Sequence, residues 1–301
     1  MCDKFNSKLL LFGEYGLMFD AMALSVPFER FSGFLDFDSD GSYPESTAEI
    51  LRFHEHLKSG ESFQKLNFSL NLILLESDLN KGLFFNSTIP QQYGVGSSGA
   101  LVAALFYRYA AGEIPASDFN PNLLKADFAL LESYFHGKSS GVDPLISFLN
   151  QPMMIDSKRT VQKVDFNLKQ TGLTVALIDT KTTGATGPLV QHFIDRFNYP
   201  EFERAFGTQF IPANNGSIES ILNGNISAFF LNLEQLIRFE LEHFQRMFTG
   251  DFSSMIKGAL DEKVYVKLLG SGGGGFLLAF AESENTMKAW AENAGIELLY
   301  V

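Results

Sequence analysis

Three glycines and two serines stand within six residues, Gly94-Val95-Gly96-Ser97-Ser98-Gly99, and run without a break into the apolar segment Leu101 to Tyr107. A helix start has backbone N–H groups without partners and the positive end of the macrodipole, so it attracts an anion. Glycine lets the backbone come close to that anion. Serine hydroxyls can donate to phosphate oxygens or coordinate a cation. The lysine of G-x-x-x-x-G-K-[ST] is missing, which excludes an ordinary P-loop, and Ala100 and Leu101 stand where a dinucleotide fingerprint would close on glycine. A glycine-rich turn capped by serine fits the same residues, so other segments decide.

Acids and cations gather at few places. Lys8 and Glu14 flank the apolar run Leu9 to Phe12, and a strand ending in Gly13-Glu14-Tyr15 can present both charges to a cleft or leave both solvated in a hairpin. Glu132 and Asp143 are 11 residues apart across the loop His136-Gly137-Lys138-Ser139-Ser140-Gly141-Val142-Asp143-Pro144 and can aim at one cleft. Glu132 falls near the C-terminal end of its helix, where a carboxylate needs a compensating cation. Asp143 before Pro144 reads equally as an N-cap and first helical position. The loop Asp179 to Gly187 offers four hydroxyls and Lys181 for a small acid or phosphate, or is an ordinary hydroxyl-rich turn. Five glycines in Gly270 to Gly275 signal a backbone or ligand at contact distance. His54 and His56, two apart, lie on different helix faces, which reads as surface histidines and not a metal pair.

The elements that must hold these groups alternate in kind. Strands are expected at Lys8 to Tyr15, Met22 to Val26, Phe31 to Phe37, Leu83 to Ser87, Leu173 to Ile178, Val264 to Leu269, Phe276 to Phe280 and Ile296 to Val301. Helices are expected at Thr47 to Leu57, Leu66 to Glu76, Ala100 to Ala110, Pro121 to Phe135, Pro188 to Phe197, Ser227 to Phe248 and Thr286 to Ala294. Ala100 to Ala110 is apolar on nearly every face until Arg108, hence buried. The stripe Phe230, Leu233, Ile237, Leu241, Phe244, Phe248 reads as core. Residues 150 to 170 show no clear period, and a lobe boundary is placed near Lys158 to Lys169.

The chain of 301 residues is 46% hydrophobic, enough for a large core in two lobes. A formal charge of −12 argues against nucleic acid and anionic lipid as partners. One cysteine, Cys2, allows no internal disulfide. With no signal-like start and no long apolar run, the expected setting is cytoplasmic, without a membrane span.

Three glycine-bearing motifs in this order resemble those of the GHMP kinases, the superfamily of galactokinase, homoserine kinase, mevalonate kinase and phosphomevalonate kinase. Lys8 to Tyr15 is similar to G-K-[x]3-[FH]-G-E-H, Gly94 to Gly99 to G-L-G-S-S-[AG], and Lys267 to Gly275 to K-L-T-G-A-G-G-G-G. Within the superfamily, His136 to Asp143 resembles H-G-x-P-S-G-[IV]-D of mevalonate kinase, with Glu132 at that family's glutamate position. The segment from Thr180-Lys181 through Thr186 to Leu189-Val190 resembles its T-K-x-x-x-x-T-x-x-L-V.

The resemblance implies an α+β, two-lobed GHMP kinase fold. Residues 1–162 would form a ribosomal-protein-S5-like N-terminal lobe, and residues 163–301 a ferredoxin-like C-terminal lobe. It implies an ATP-dependent kinase acting on the 5-hydroxyl of mevalonate in isoprenoid biosynthesis. Asp143 would take the hydroxyl proton with Lys8 beside it, and Gly94, Val95, Gly96, Ser97, Ser98 and Gly99 would cradle ATP. Ser98, with Ser97 as a second candidate, and Glu132 would hold Mg2+. Glu14, Tyr15, His136, Asp143, Thr186 and Gly272 would face the acceptor. A homodimer is compatible with the family. Tyr15 replaces the histidine of the first motif and Asn6-Ser7 its preceding Pro-Gly, and both the first motif and Tyr93 to Gly99 look more like phosphomevalonate kinase. Phosphomevalonate or a sugar as acceptor, and a non-catalytic ligand sensor, are the alternatives.

Overall fold

The structure, a computed structural model, describes residues 3–60, 65–110, 120–184, 186–248, 250 and 252–301, with the side chains of His136 and Thr186 outside the description. In chain order its elements are β1 (Phe5–Phe12), β2 (Ala23–Phe37), α1 (Pro44–Ser59), α2 (Leu72–Leu79), β3 (Leu83–Ser87), α3 (Ser97–Tyr109), α4 (Pro121–His136), α5 (Val142–Leu149), β4 (Met153–Ile155), β5 (Val161–Lys163) and β6 (Thr174–Asp179). Then follow α6 (Thr186–Phe197), α7 (Pro200–Ala205), α8 (Ile211–Leu222), α9 (Ile226–His243), α10 (Phe252–Asp261), β7 (Tyr265–Leu268), β8 (Phe276–Ala281), α11 (Glu284–Ala294) and β9 (Leu298–Tyr300). One antiparallel sheet has the order β1-β2-β4-β5 with β3 also on β2, and the other β7-β8-β6-β9.

The chain folds into two compact units that interleave in sequence. The first comprises the chain up to Lys8, Pro27–Pro90 and Gly96–Gln151; the second comprises Leu9–Val26, Gln91–Val95 and Pro152–Val301. Strands β1 and β2 therefore run through both.

In the first unit, β2 pairs with β3 from Gly33↔Ser87 to Phe37↔Leu83. Helix α3 is buried on nearly every face, as its uniform apolarity requires. Its Phe106 meets Phe128 of α4 and Phe148 of α5 at ring-centroid distances of 5.0 and 5.6 Å. Burying each such ring contributes about 1.5–3 kcal/mol. Asp127 of α4 accepts from the backbone N–H groups of Asn67 and Phe68, tying the approach to α2 onto α4.

In the second unit, β6 and β8 pair over six residues, Thr174↔Ala281 to Asp179↔Phe276. Phe12 of β1, Phe229 of α9 and Phe280 of β8 meet at 5.5–6.0 Å. A second aromatic cluster joins Phe193, Phe197, Phe202, Phe206, Phe239 and Phe244. A π-helical turn, Phe206–Phe210, runs between α7 and α8, and the rings at its two ends stack at 4.4 Å.

Several expectations are corrected. Ala23 to Val26 and Phe31 to Phe37 are parts of one strand that leaves out Met22; the carbonyl of Phe28, just past Pro27, takes the hydroxyl of buried Ser7 and the pleat continues. Helix α2 begins at Leu72, capped by Asn71, and not at Leu66. Helix α9 stops at His243, and Phe244 and Phe248 reach the core from a 3-10 turn, Gln245–Met247, and its flanks. His54 is buried with Nε2 3.3 Å from the Leu72 carbonyl, since α2 covers that face of α1; His56 alone of the pair is exposed.

Candidate active site

The first unit assembles four of the sequence-selected residues. Helix α3 starts at Ser97, with Gly96 as a left-handed N-cap at φ +81°. A Cβ on Gly96 would stand 3.0 Å from Lys8 Cγ, and one on Gly99 would stand 2.8 Å from the backbone and Cβ of Asp143. The start of α3 and the start of α5 thus touch where only glycine fits. Gly141, and not Asp143, is the N-cap of α5, again left-handed at φ +73°. A Cβ on Gly141 would lie 2.1 Å from the Lys125 carbonyl oxygen, so close packing on α4 selects the glycine. Asp143 therefore sits in the first turn of α5 with its carboxylate available.

Lys8 Nζ pairs with Asp143 Oδ1 at 3.0 Å. Lys8 is buried, so neither solvated-hairpin reading of Lys8 nor of Glu14 survives. Glu132 is buried beneath them: Oε1 accepts from Ser98 Oγ at 3.1 Å, and Oε2 accepts a short bond from Ser139 Oγ. Ser139 Oγ in turn accepts the Gly141 N–H at 2.9 Å. Burial, and then the charge of Asp143, push the Glu132 carboxyl up to about 8, against the lowering effect of Ser139, Lys8 and Ser98. Lys8 and the two hydroxyls supply the compensation that the helix end demanded. Asp143 lies at the start of α5 and Ser97 and Ser98 at the start of α3, both positive helix ends.

One carboxylate and two hydroxyls form an all-oxygen donor set suited to a hard cation such as Mg2+. Among the described residues no group of three or more His, Cys, Asp or Glu is placed to hold a metal. A cation on Glu132 and Ser98 would therefore complete its shell with water or phosphate oxygens, as Mg2+ does.

The second unit holds the other candidates. Gly13, at φ +114°, turns the chain out of β1 where a Cβ would strike Ala23. Glu14 is buried and accepts from Lys267 Nζ at 2.8 Å. Tyr15 has φ +59°, uncommon for a bulky residue, and its hydroxyl donates to the Ser271 carbonyl at 2.6 Å while its ring lies on Phe193 and Phe244. Gly94 is left-handed, and a Cβ there would meet the Leu269 carbonyl oxygen at 3.0 Å. The density of glycine from Gly270 to Gly275 is explained by neighbouring backbone. A Cβ at Gly272, Gly274 or Gly275 would lie 2.5–2.6 Å from Met247, Thr183 or Tyr93. The hydroxyl-rich turn after β6 serves the same packing: Thr180 is buried and donates to the Gly275 carbonyl at 2.8 Å.

Ser139, Lys267 and Glu240 were not singled out from the sequence. Ser139 carries a signal, as one of two adjacent hydroxyls in the loop closing on Asp143. Lys267 stands as a lone charge inside an apolar strand, and Glu240 falls three residues after Ile237 on the apolar face of α9.

The α+β fold with its two antiparallel sheets is the fold of the GHMP kinases. Over its whole length the chain is similar to the L. major mevalonate kinase solved with R-mevalonate, at 16% identity and TM-score 0.65, covering 100% of this chain and 95% of that one. It is also similar to Streptococcus pneumoniae phosphomevalonate kinase in complex with phosphomevalonate and AMPPNP, at 16% identity, TM-score 0.65 and coverage of 100% and 98%. Lactococcus lactis galactokinase complexed with galactose matches at 13% identity, TM-score 0.62 and coverage of 99% and 91%. No family model and no curated protein matches the sequence. Among the described residues no helix is long and apolar enough to cross a membrane.

Proposed function

We propose that the chain is an ATP-dependent small-molecule kinase whose acceptor is the 5-hydroxyl of mevalonate. The observation that carries the reading is the Lys8–Asp143 pair at 3.0 Å, set on the contact between two helix starts and above the buried Glu132 with its two serine hydroxyls. Phosphoryl transfer is mostly positioning and charge neutralisation, and this cluster has a base, a cation beside it and an oxygen set for a metal. When bound, Mg2+ and ATP supply the phosphoryl group and neutralise its charge. Glu132 and Ser98 would hold the cation, and the amides of Gly94 to Gly99 the phosphates. Asp143 accepts the proton of the acceptor hydroxyl at its carboxylate, and Lys8, 3.0 Å away, holds that carboxylate in place.

A phosphorylated acceptor would need extra cations, for which Lys138, Lys181 and Arg196 are the candidates, and two of the three are engaged. Lys181 pairs with Asp179 at 3.1 Å, and Arg196 lies 4.2 Å over the Phe202 ring and donates to the His243 carbonyl. Lys138 is exposed, so the choice of acceptor rests on the assay. The test is ADP release with Mg-ATP and mevalonate, beside phosphomevalonate, galactose and homoserine. Turnover with mevalonate alone is expected. Turnover with another acceptor instead would keep the kinase and replace the substrate, and silence with all four alongside ATP binding would favour a sensor.

A further inference from the structure

Glu240 takes no part in the chemistry above, yet its carboxyl is one of the most buried among the described residues. It lies on α9 and accepts the Leu268 N–H at 3.0 Å. Lys267, fully buried next to it in β7, donates to Glu14 at 2.8 Å and to the Leu268 carbonyl. One ammonium thus stands among two carboxyls in a place without solvent. It can balance one carboxylate, and a second buried negative charge is relieved most readily by taking up a proton. Glu14 has the direct contact, which leaves Glu240 as the neutral member. Burial pushes its carboxyl up to about 8, with Lys267 lowering it and Glu14 raising it.

The charged groups that act on Glu240 are Lys267 of β7 and Glu14 after β1, and Glu240 in turn acts on Tyr15.

The backbone that Glu240 anchors leads directly into the glycine loop. The Leu269 carbonyl oxygen lies where a Cβ on Gly94 would meet it at 3.0 Å, and Gly275 abuts the Tyr93 backbone. The Gly273 N–H donates to the Met247 carbonyl at 2.6 Å, so the loop is held from the helix side as well. We propose that Glu240 is a positioning residue for nucleotide binding: as a neutral carboxyl it anchors the end of β7, and through it the loop Gly270–Gly275 that seats Tyr93 and Gly94. The proposal rests on the kinase reading of the phosphate loop.

Wild type, Glu240→Gln and Glu240→Ala are compared by thermal melting from about pH 5 to about pH 9 and by calorimetric Mg-ATP affinity. A folded carboxyl raised to about 8 from 4.5 contributes stability that is full below 4.5, falls as pH rises to about 8, and is then level. Relative to Glu240→Gln, the wild type should therefore lose melting temperature across that window. Mg-ATP binding should weaken about tenfold in Glu240→Ala and be largely restored in Glu240→Gln, which keeps a neutral acceptor for the Leu268 N–H. Parallel melting profiles, wild-type affinity in Glu240→Ala, or equal weakness in both variants would overturn the proposal. If Glu240→Ala does not fold, the other pair decides. Alkaline weakening of Mg-ATP binding in the wild type that is absent from Glu240→Gln supports the proposal, and identical profiles overturn it. A wild type that melts as described but binds no ATP overturns the kinase reading, and with it the nucleotide role of Glu240.

Discussion

Lys8 with Asp143 and Glu132, and Lys267 with Glu14 and Glu240, are the same inventory in two settings: one lysine, two carboxyls, and one of those carboxyls pushed up to about 8. The surroundings differ. The Asp143 side chain is 31% exposed and Glu132 is bonded to two serine hydroxyls, which can turn to other partners. In the second trio the Lys267 and Glu14 side chains are 0% and 4% exposed, and both Lys267 and Glu240 also bond to main chain, which cannot leave. Charge count alone therefore does not mark a reactive cluster. Partners that can be exchanged for ligand do.

The sharpest way to break this comparison is at Asp143. Asp143→Asn should lower turnover by about 100- to 10,000-fold while Mg-ATP binding persists, and steady-state ADP release beside calorimetry measures both. Retained turnover would remove the reactive member from the first trio.

Removing the lysines should then separate the two trios by kind of loss. Lys267→Met leaves two buried carboxyls without a counter-charge and should cost about 3–5 kcal/mol in urea unfolding. Lys8→Met should cost clearly less stability, because Asp143 reaches solvent, but should lose turnover. Equal stability losses would erase the distinction.

A smaller effect is expected from the helix contact that aims the base. Gly99→Ala places a methyl 2.8 Å from Asp143, and the displacement should cost about 100-fold in turnover with the fold intact by circular dichroism.

The mildest effect concerns protons. Glu132 is raised from 4.5 to about 8, so cation binding near neutral pH should release about one proton, read by titrating Mg-nucleotide in buffers of different ionisation enthalpy. The same shift makes its stability contribution full below 4.5, falling toward about 8 and level above. Glu132→Gln should abolish that fall and the proton release together.

The helix starts and strands nearest the first trio were legible because glycine, serine and apolar period mark them locally. Lys8, Ser98, Glu132 and Asp143 are singled out by the GHMP kinase motifs that they resemble, since their local readings left a hairpin, a cap or a turn open, and the structure brings them together. Long-range pairing was not legible. Nothing near Glu14 says that Lys267, 253 residues later, will neutralise it, and its charge read as available to a cleft. The short strands β4 and β5, at three residues each, are too brief to show a period, and their existence depends on β2. Pro200 and Pro212 stand in the first turns of α7 and α8, a start signal left unread, and the mid-helix Gly258 interrupts α10.

The interleaving of the two units also dictates an order of events at the ribosome. Leu9–Val26 emerges before Pro152–Val301, with which it belongs, and the partners of Glu14 and Tyr15 follow 253 and 256 residues later. At about 5–20 residues per second, the apolar run Leu9-Leu10-Leu11-Phe12 waits roughly ten seconds to a minute for its sheet and helices. During nascent-chain synthesis that strand is the segment a holding chaperone has most reason to cover.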